Sequence, residues 1–232
     1  RKLLAHPNRG RGVRLLREFG LVEPVLPELL PAFSLPTADG GTLWDGLARV
    51  VELLPPAAGF PLAFAALLHE TGKPAAEAVA ERLKLSTAEK TRVAWLVENH
   101  SSLAGAAAMR MSRLQPILVH PGIRDLLEVH RAIAAASGHD LAHVEFCERV
   151  LRVTPPDELN PPPVVTGGDL IAMGLKPGPE FKRLLDAVRE AQLDGRVRTK
   201  EQGLELVRRL RGGGEADADD GRQRGGPRDG QQ

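Results

Sequence analysis

The sequence predicts an all-α protein, and three observations carry that reading. No stretch keeps up the apolar–polar alternation that a half-buried strand requires. Apolar residues instead return at spacings of three and four, as at Phe181, Leu184, Leu185 and Val188, which gives a helix one buried face. Ser86-Thr-Ala-Glu89 and Thr199-Lys-Glu-Gln202 each place a hydroxyl three residues before a carboxylate or amide. That spacing lets the two side chains satisfy the free amides of a first helical turn.

Taken in chain order, residues 1–42 form a first helical segment. Arg1, Lys2, Arg9, Arg11, Arg14 and Arg17 fall in its first 17 residues with no acid among them. Residues 43–153 read as a second helical domain. Within it, "LLHETGKP" (Leu67–Pro74) brings a histidine and an acid to the end of an apolar run, and Leu126, Leu127 and Ile133 lie in a helix after Pro121-Gly122. "GHDLAH" (Gly138–His143) reads as a loop and helix start, with Asp140 as N-cap. The stretch "VTPPDELNPPP" (Val153–Pro163) cannot be helical and marks a boundary.

Residues 164–211 form a small helical tail module. In "GLKPGPEF", Gly174 can end one helix in the left-handed region and Pro179 can open the next. The buried face predicted for the module is Leu170, Phe181, Leu184, Leu185, Val188, Leu204 and Val207, with Lys182 and Arg189 turned outward. Residues 212–232 contain seven glycines and no Leu, Ile, Val or aromatic residue, a composition that predicts disorder.

Composition limits function. The 232 residues carry a net charge of only +1, so any attraction for nucleic acid must come from local patches. One such patch is Lys176–Arg211, with ten basic residues against six acidic ones. Aromatic residues make up 3%, with no tyrosine, which leaves few platforms for stacking bases and favours phosphate contacts. The single cysteine, Cys147, permits no internal disulfide and points to a reducing, cytoplasmic setting. No apolar run reaches the roughly 18 residues needed to cross a bilayer, so no membrane partner is expected. The opening at Arg1 suggests a fragment of a longer protein.

Three segments resemble one family. "TGGDLIAMGLKPGPEFKRLLDAVREAQLDGRVRTKEQGLELV" (Thr166–Val207) is similar to the tail of bacterial CCA-adding tRNA nucleotidyltransferases and poly(A) polymerases. "RKLLAHPNRGRGVRLLREFGLVEPVLPEL" (Arg1–Leu29) resembles their RNA-binding helices. "VHRAIAAASGHDLAHVEFCERVL" (Val129–Leu151) resembles the later helices of their HD-type domain. The resemblance implies a multi-helix body with a degenerate HD-like domain, followed by the tail module. It implies tRNA or another structured RNA as partner, held so that its 3′ end reaches a nucleotidyltransferase head. Magnesium and ATP or CTP would belong to that head, which is absent from this chain; no cofactor is expected in the chain itself. Arg9, Arg11, Arg14, Lys176, Lys182 and Arg189 are the phosphate contacts expected from it.

The same resemblance bears on a metal centre. Active HD-type domains gather several imidazoles and carboxylates around a divalent ion. Here Gly46 and Ile133 stand where the family pattern carries a histidine and an aspartate, and Glu70 replaces another aspartate. His69, Glu70 and His100 are therefore expected to be the residual shell of a metal site without function. Two other readings are a freestanding HD-type metal-dependent phosphohydrolase and an inactive truncated relic. Neither CCA nor poly(A) addition is favoured by these residues.

Overall fold

A computed structural model of the chain describes residues 1–37 and 40–219, with side chains described to residue 212. The helices in order are α1 (Lys2–Ala5), α2 (Arg9–Glu18), α3 (Val22–Val25), α4 (Leu43–Leu53), α5 (Phe60–Leu68), α6 (Lys73–Arg82) and α7 (Thr87–Asn99). They continue as α8 (Met111–Leu118), α9 (Ile123–Ser137), α10 (Ala142–Val153), α11 (Pro156–Leu159), α12 (Gly167–Ala172), α13 (Pro179–Leu193) and α14 (Lys200–Asp219). Among the described residues the only extended pairing is an isolated bridge between Pro36 and Thr42. The all-α expectation holds, but Val153–Pro163, expected to be non-helical, carries the short helix α11, because a proline in the first turn of a helix has no N–H that needs a partner there. α14 also continues past residue 212, where composition predicts disorder, because extending a helix already formed needs far less than nucleating one. The rest of that predicted disordered tail, 220–232, lies outside the described residues.

The chain forms two compact units. The first comprises Arg1–Met109 and Ile117–Thr154, and the second takes Arg110–Pro116 together with the chain from Pro155. In the first unit the centre is α5, whose residues Leu62 to Leu68 are all buried. A helix apolar on every side must be surrounded, and α1, α4, α7 and α9 surround it. Two capping boxes start the neighbouring helices. Thr42 and Asp45 open α4, and Ser86 and Glu89 open α7.

Arg9 fixes α2 to this unit. Its side chain is buried, with 1% of the residue exposed. The guanidinium donates to the carbonyls of Leu4 (2.9 Å), Leu54 (3.3 Å), Pro55 (2.9 Å), Pro56 (2.8 Å) and Ala58 (3.3 Å). Four of these carbonyls belong to the segment that leaves α4 through Pro55-Pro56, which lacks two backbone N–H groups, and of the four only Pro55 O also has a backbone donor among the described residues, Ala58 N at 2.8 Å. Beside it, Gly10 lets α2 lie directly on α4, since a Cβ there would sit 2.5 Å from Glu52 Cβ. Around this contact Arg14 and Arg49 both donate to Glu52, at 2.8 and 2.9 Å.

The second unit has its own core of Val165, Leu170, Leu175, Leu184, Val188 and Val207. Phe181, Leu185 and Leu204 pack partly buried against it, so each residue of the predicted buried face lies on the core or against it. Thr166 and Asp169 form the capping box of α12, and Lys200 reaches the same carboxylate at 2.5 Å. α14 approaches at Gly203, where a Cβ would fall 2.5 Å from Val165 Cγ2. A second proline run is clasped as the first is. Arg189 donates to Pro161 O (2.6 Å) and Asn160 Oδ1 (2.9 Å), and Gln192 donates to Pro162 O (2.8 Å). Arg189 is thus half-buried against the linker and not turned outward. Sequence periodicity misplaced it because its partners lie 28 and 29 residues away.

Two stability outcomes follow from these contacts. Arg9→Met strips the carbonyls of their donors and is expected to lower unfolding free energy by about 3–5 kcal/mol in urea titrations. Arg9→Lys should recover only part of this, having three donors in place of a planar fork of five. Leu184→Ala, at a fully buried core position, should cost about 2–5 kcal/mol in the second unit.

Candidate functional site

His69 and His100 end equivalent helices in the same way. His69 follows α5 and its Nδ1 lies 2.7 Å from Ala66 O. His100 follows α7 with Nδ1 2.8 Å from Val97 O. A carbonyl only accepts, so Nδ1 carries the proton in both rings and Nε2 points onward. The two ring centroids are 5.4 Å apart, and His69 Nε2 lies 3.4 Å from Glu70 Oε1. When Nε2 is protonated as well, that contact holds the Glu70 carboxyl below the usual carboxylate range. Lys73, three residues after Glu70, pairs instead with Glu98 at 2.9 Å.

This geometry fixes the direction of two imidazole donors and adds one carboxylate, but the remaining donors of a divalent site are missing. A side chain built on Gly46 would meet open space, and Ile133 offers only hydrocarbon. Among the described residues no group of three or more His, Cys, Asp or Glu side chains is arranged to hold a metal ion. The residues do not fit a catalytic divalent centre, which needs three protein ligands and an open position for water. Cys147 adds nothing, since it is buried and its thiol is pushed up to about 11 by burial.

A further pair of histidines was not singled out by sequence spacing. His130 on α9 and His143 on α10 have ring centroids 5.2 Å apart. His130 is 4% exposed, and burial pushes its pKa down to about 4. It is therefore neutral in the folded protein near pH 7, and its Nε2 lies 3.4 Å from Asn99 O.

The predicted cationic contacts separate into three classes. Arg9 and Arg189 are spent on backbone carbonyls, and burial lowers the pKa of both. Arg14 is paired with Glu52 at the surface. Arg11, Lys176 and Lys182 are exposed and, among the described residues, have no hydrogen-bond or ion-pair partner. Arg183, next to Lys182, is equally exposed and unpaired. Lys176 sits in the turn that precedes α13, which begins at Pro179.

Residues 61–207 match the family described as tRNA nucleotidyltransferase domain 2. The A-adding tRNA nucleotidyltransferase of Deinococcus radiodurans is 30% identical over 89% of this chain and 56% of its own length. The CC-adding tRNA nucleotidyltransferase of Thermus thermophilus is 32% identical over 94% of this chain and 56% of its own. The chain thus spans a little over half the length of these relatives. No solved structure matches. Among the described residues, no helix is long and apolar enough to cross a membrane.

The buried histidine gives a pH signature. With a folded pKa near 4 and an unfolded value near 6.5, the unfolded chain takes up the proton first as pH falls. The associated stability is present above pH 6.5 and lost on the way to pH 4, by about 3 kcal/mol at most. Glu52 and Asp169, held down to about 2 by their donors, titrate below this window. Unfolding free energy measured from pH 7 to 5 should decline in the unaltered chain and decline markedly less in His130→Gln, where His120, whose pKa burial also lowers, remains.

Proposed function

Because the chain belongs to the tRNA nucleotidyltransferase family, we propose that it is the body and tail that hold tRNA and present its 3′ end to a nucleotide-adding head outside these residues. The observation that carries this reading is that Arg11, Lys176, Lys182 and Arg183 are exposed cations without partners among the described residues. Flexible cations with no carboxylate to neutralise them suit a phosphate backbone, where contact energy comes from released counterions. Arg9 and Arg189 support the RNA surface indirectly, by fixing the helices that carry these groups. The names of the two relatives, A-adding and CC-adding, make tRNA the RNA of choice and leave the added nucleotide to the head. Magnesium and the nucleoside triphosphate belong to that head as well. The reducing environment of the cytoplasm suits a chain with one buried thiol.

Filter binding against tRNA tests the proposal. Affinity should fall steeply with salt, and Lys176→Ala with Lys182→Ala should weaken binding fivefold or more for every tRNA alike. The slope of log affinity against log salt should become shallower by roughly 0.9 for each duplex phosphate contact removed. Thermal melts of the same variant should be unchanged. Unaltered affinity in that variant, or no tRNA binding at low salt, would refute the holding role.

The residual histidine pair leads to a second expected outcome. Nickel or manganese should not stimulate hydrolysis of 2′,3′-cyclic phosphates by the chain. Metal-stimulated turnover that disappears in His69→Ala would instead support a phosphohydrolase.

A further inference from the structure

The α9–α10 hairpin carries a groove that no predicted contact uses. α9 (Ile123–Ser137) and α10 (Ala142–Val153) run back to back after a short turn. The groove along them has a volume of about 470 Å³, within the range of small-ligand sites. Ile123, Leu127 and Leu151 line its apolar part, and Arg124, Glu128, Glu148 and Arg152 line the rest.

Its charges are unevenly partnered. Glu148 pairs closely with Arg131, and Arg131 Nη1 lies 3.7 Å from Glu128. Both carboxylates are therefore turned to the central guanidinium. Arg124 and Arg152, one in the first turn of α9 and the other in the last turn of α10, remain exposed with no ion-pair or hydrogen-bond partner. Arg131 thus draws both carboxylates, and the two unpaired guanidiniums stand at one end of an apolar trough, Arg152 acting on Glu148 only through space. Of the other acids nearby, Asp125 is held by Arg92 at 3.0 Å and Glu145 acts on Arg131.

We propose that this groove is a nucleotide site that takes one unstacked nucleotide of an RNA strand. Its phosphate lies between Arg124 and Arg152 and its ring on Ile123, Leu127 and Leu151. A nucleotide has both parts that the groove asks for, an anion and a flat, weakly polar ring. The Glu128 and Glu148 carboxylates, which only accept hydrogen bonds, can receive the exocyclic amino group of adenine or cytosine. As an RNA contact this rests on the holding role proposed above. A free nucleotide offers the same chemistry, so the experiment separates the two sources.

Methyl and arginine side-chain spectra of the full chain are recorded during titration with AMP, with inorganic phosphate and with a single-stranded ten-nucleotide RNA. AMP and RNA are expected to shift the Ile123, Leu127 and Leu151 methyls, whereas phosphate alone moves only the Arg124 and Arg152 signals. The double variant Arg124→Gln, Arg152→Gln should bind the RNA at least tenfold more weakly with an unchanged melting temperature. Methyls unmoved by both AMP and RNA, or RNA affinity unchanged in the double variant, would overturn the site. Sedimentation showing a dimer that Leu151→Asp abolishes would overturn it too, making the trough an interface between copies. If AMP shifts the methyls but the chain binds no RNA, the nucleotide site stands with a free nucleotide as its ligand. The holding role is then the part that fails.

Discussion

Carbonyls of proline runs that are short of local donors set the plan of both units. A proline run cannot pair its own backbone in a helix or a sheet, yet its carbonyls still need donors wherever the run is packed away from water. In the first unit the answer is Arg9, whose planar fork spans the carbonyls of Leu54, Pro55, Pro56 and Ala58. In the second it is Arg189 with Gln192, on Asn160, Pro161 and Pro162. A lysine could not do the same work, because its three donors radiate from one atom. Each clamp turns a chain segment that would otherwise wander into a fixed edge against which a helix, α2 or α13, can pack.

This division of labour decides what the remaining cations can do. Arginines on backbone carbonyls keep their charge but lose access to a phosphate. Those paired with Glu52 or Asp45 offer a field that salt screens readily. Among the described residues, the unpartnered cations left for a polyanion include Arg11, Lys176, Lys182, Arg183, Arg124 and Arg152. The net charge of +1 therefore understates the local surplus, and counts along the chain overstate it. Partnering by partnering, the structure converts a charge census into a surface.

The sequence reveals local features far better than distant ones. The buried face of the tail module follows from a period of three and four, and Leu170, Leu184, Val188 and Val207 occupy it. The Ser86–Glu89 cap was legible because hydroxyl and carboxylate stand three residues apart. The Thr42–Asp45 and Thr166–Asp169 caps follow the same logic with a shorter acid, and admitting aspartate at the third position would have found them. Arg9 and Arg189 could not be read in this way. Their carbonyl partners lie 28 to 49 residues off apart from Leu4, and a carbonyl has no residue type to betray it. For the candidate metal centre the residue types were informative, since Gly46 and Ile133 bring no donor atom whatever the geometry. The direction of the His69 and His100 rings, set by carbonyls three residues back, became visible only in the structure.

The central claim is that structural and RNA-facing cations are different residues. Arginine-selective modification by phenylglyoxal, mapped by mass spectrometry with and without tRNA, tests it in one measurement. Arg11, Arg183, Arg124 and Arg152 should react readily in the free chain and be protected by tRNA. Arg9 and Arg189 should react slowly under both conditions, their guanidiniums held on the proline carbonyls. Rapid modification of Arg9 or Arg189 in the folded chain, or tRNA protection confined to them, would contradict the account.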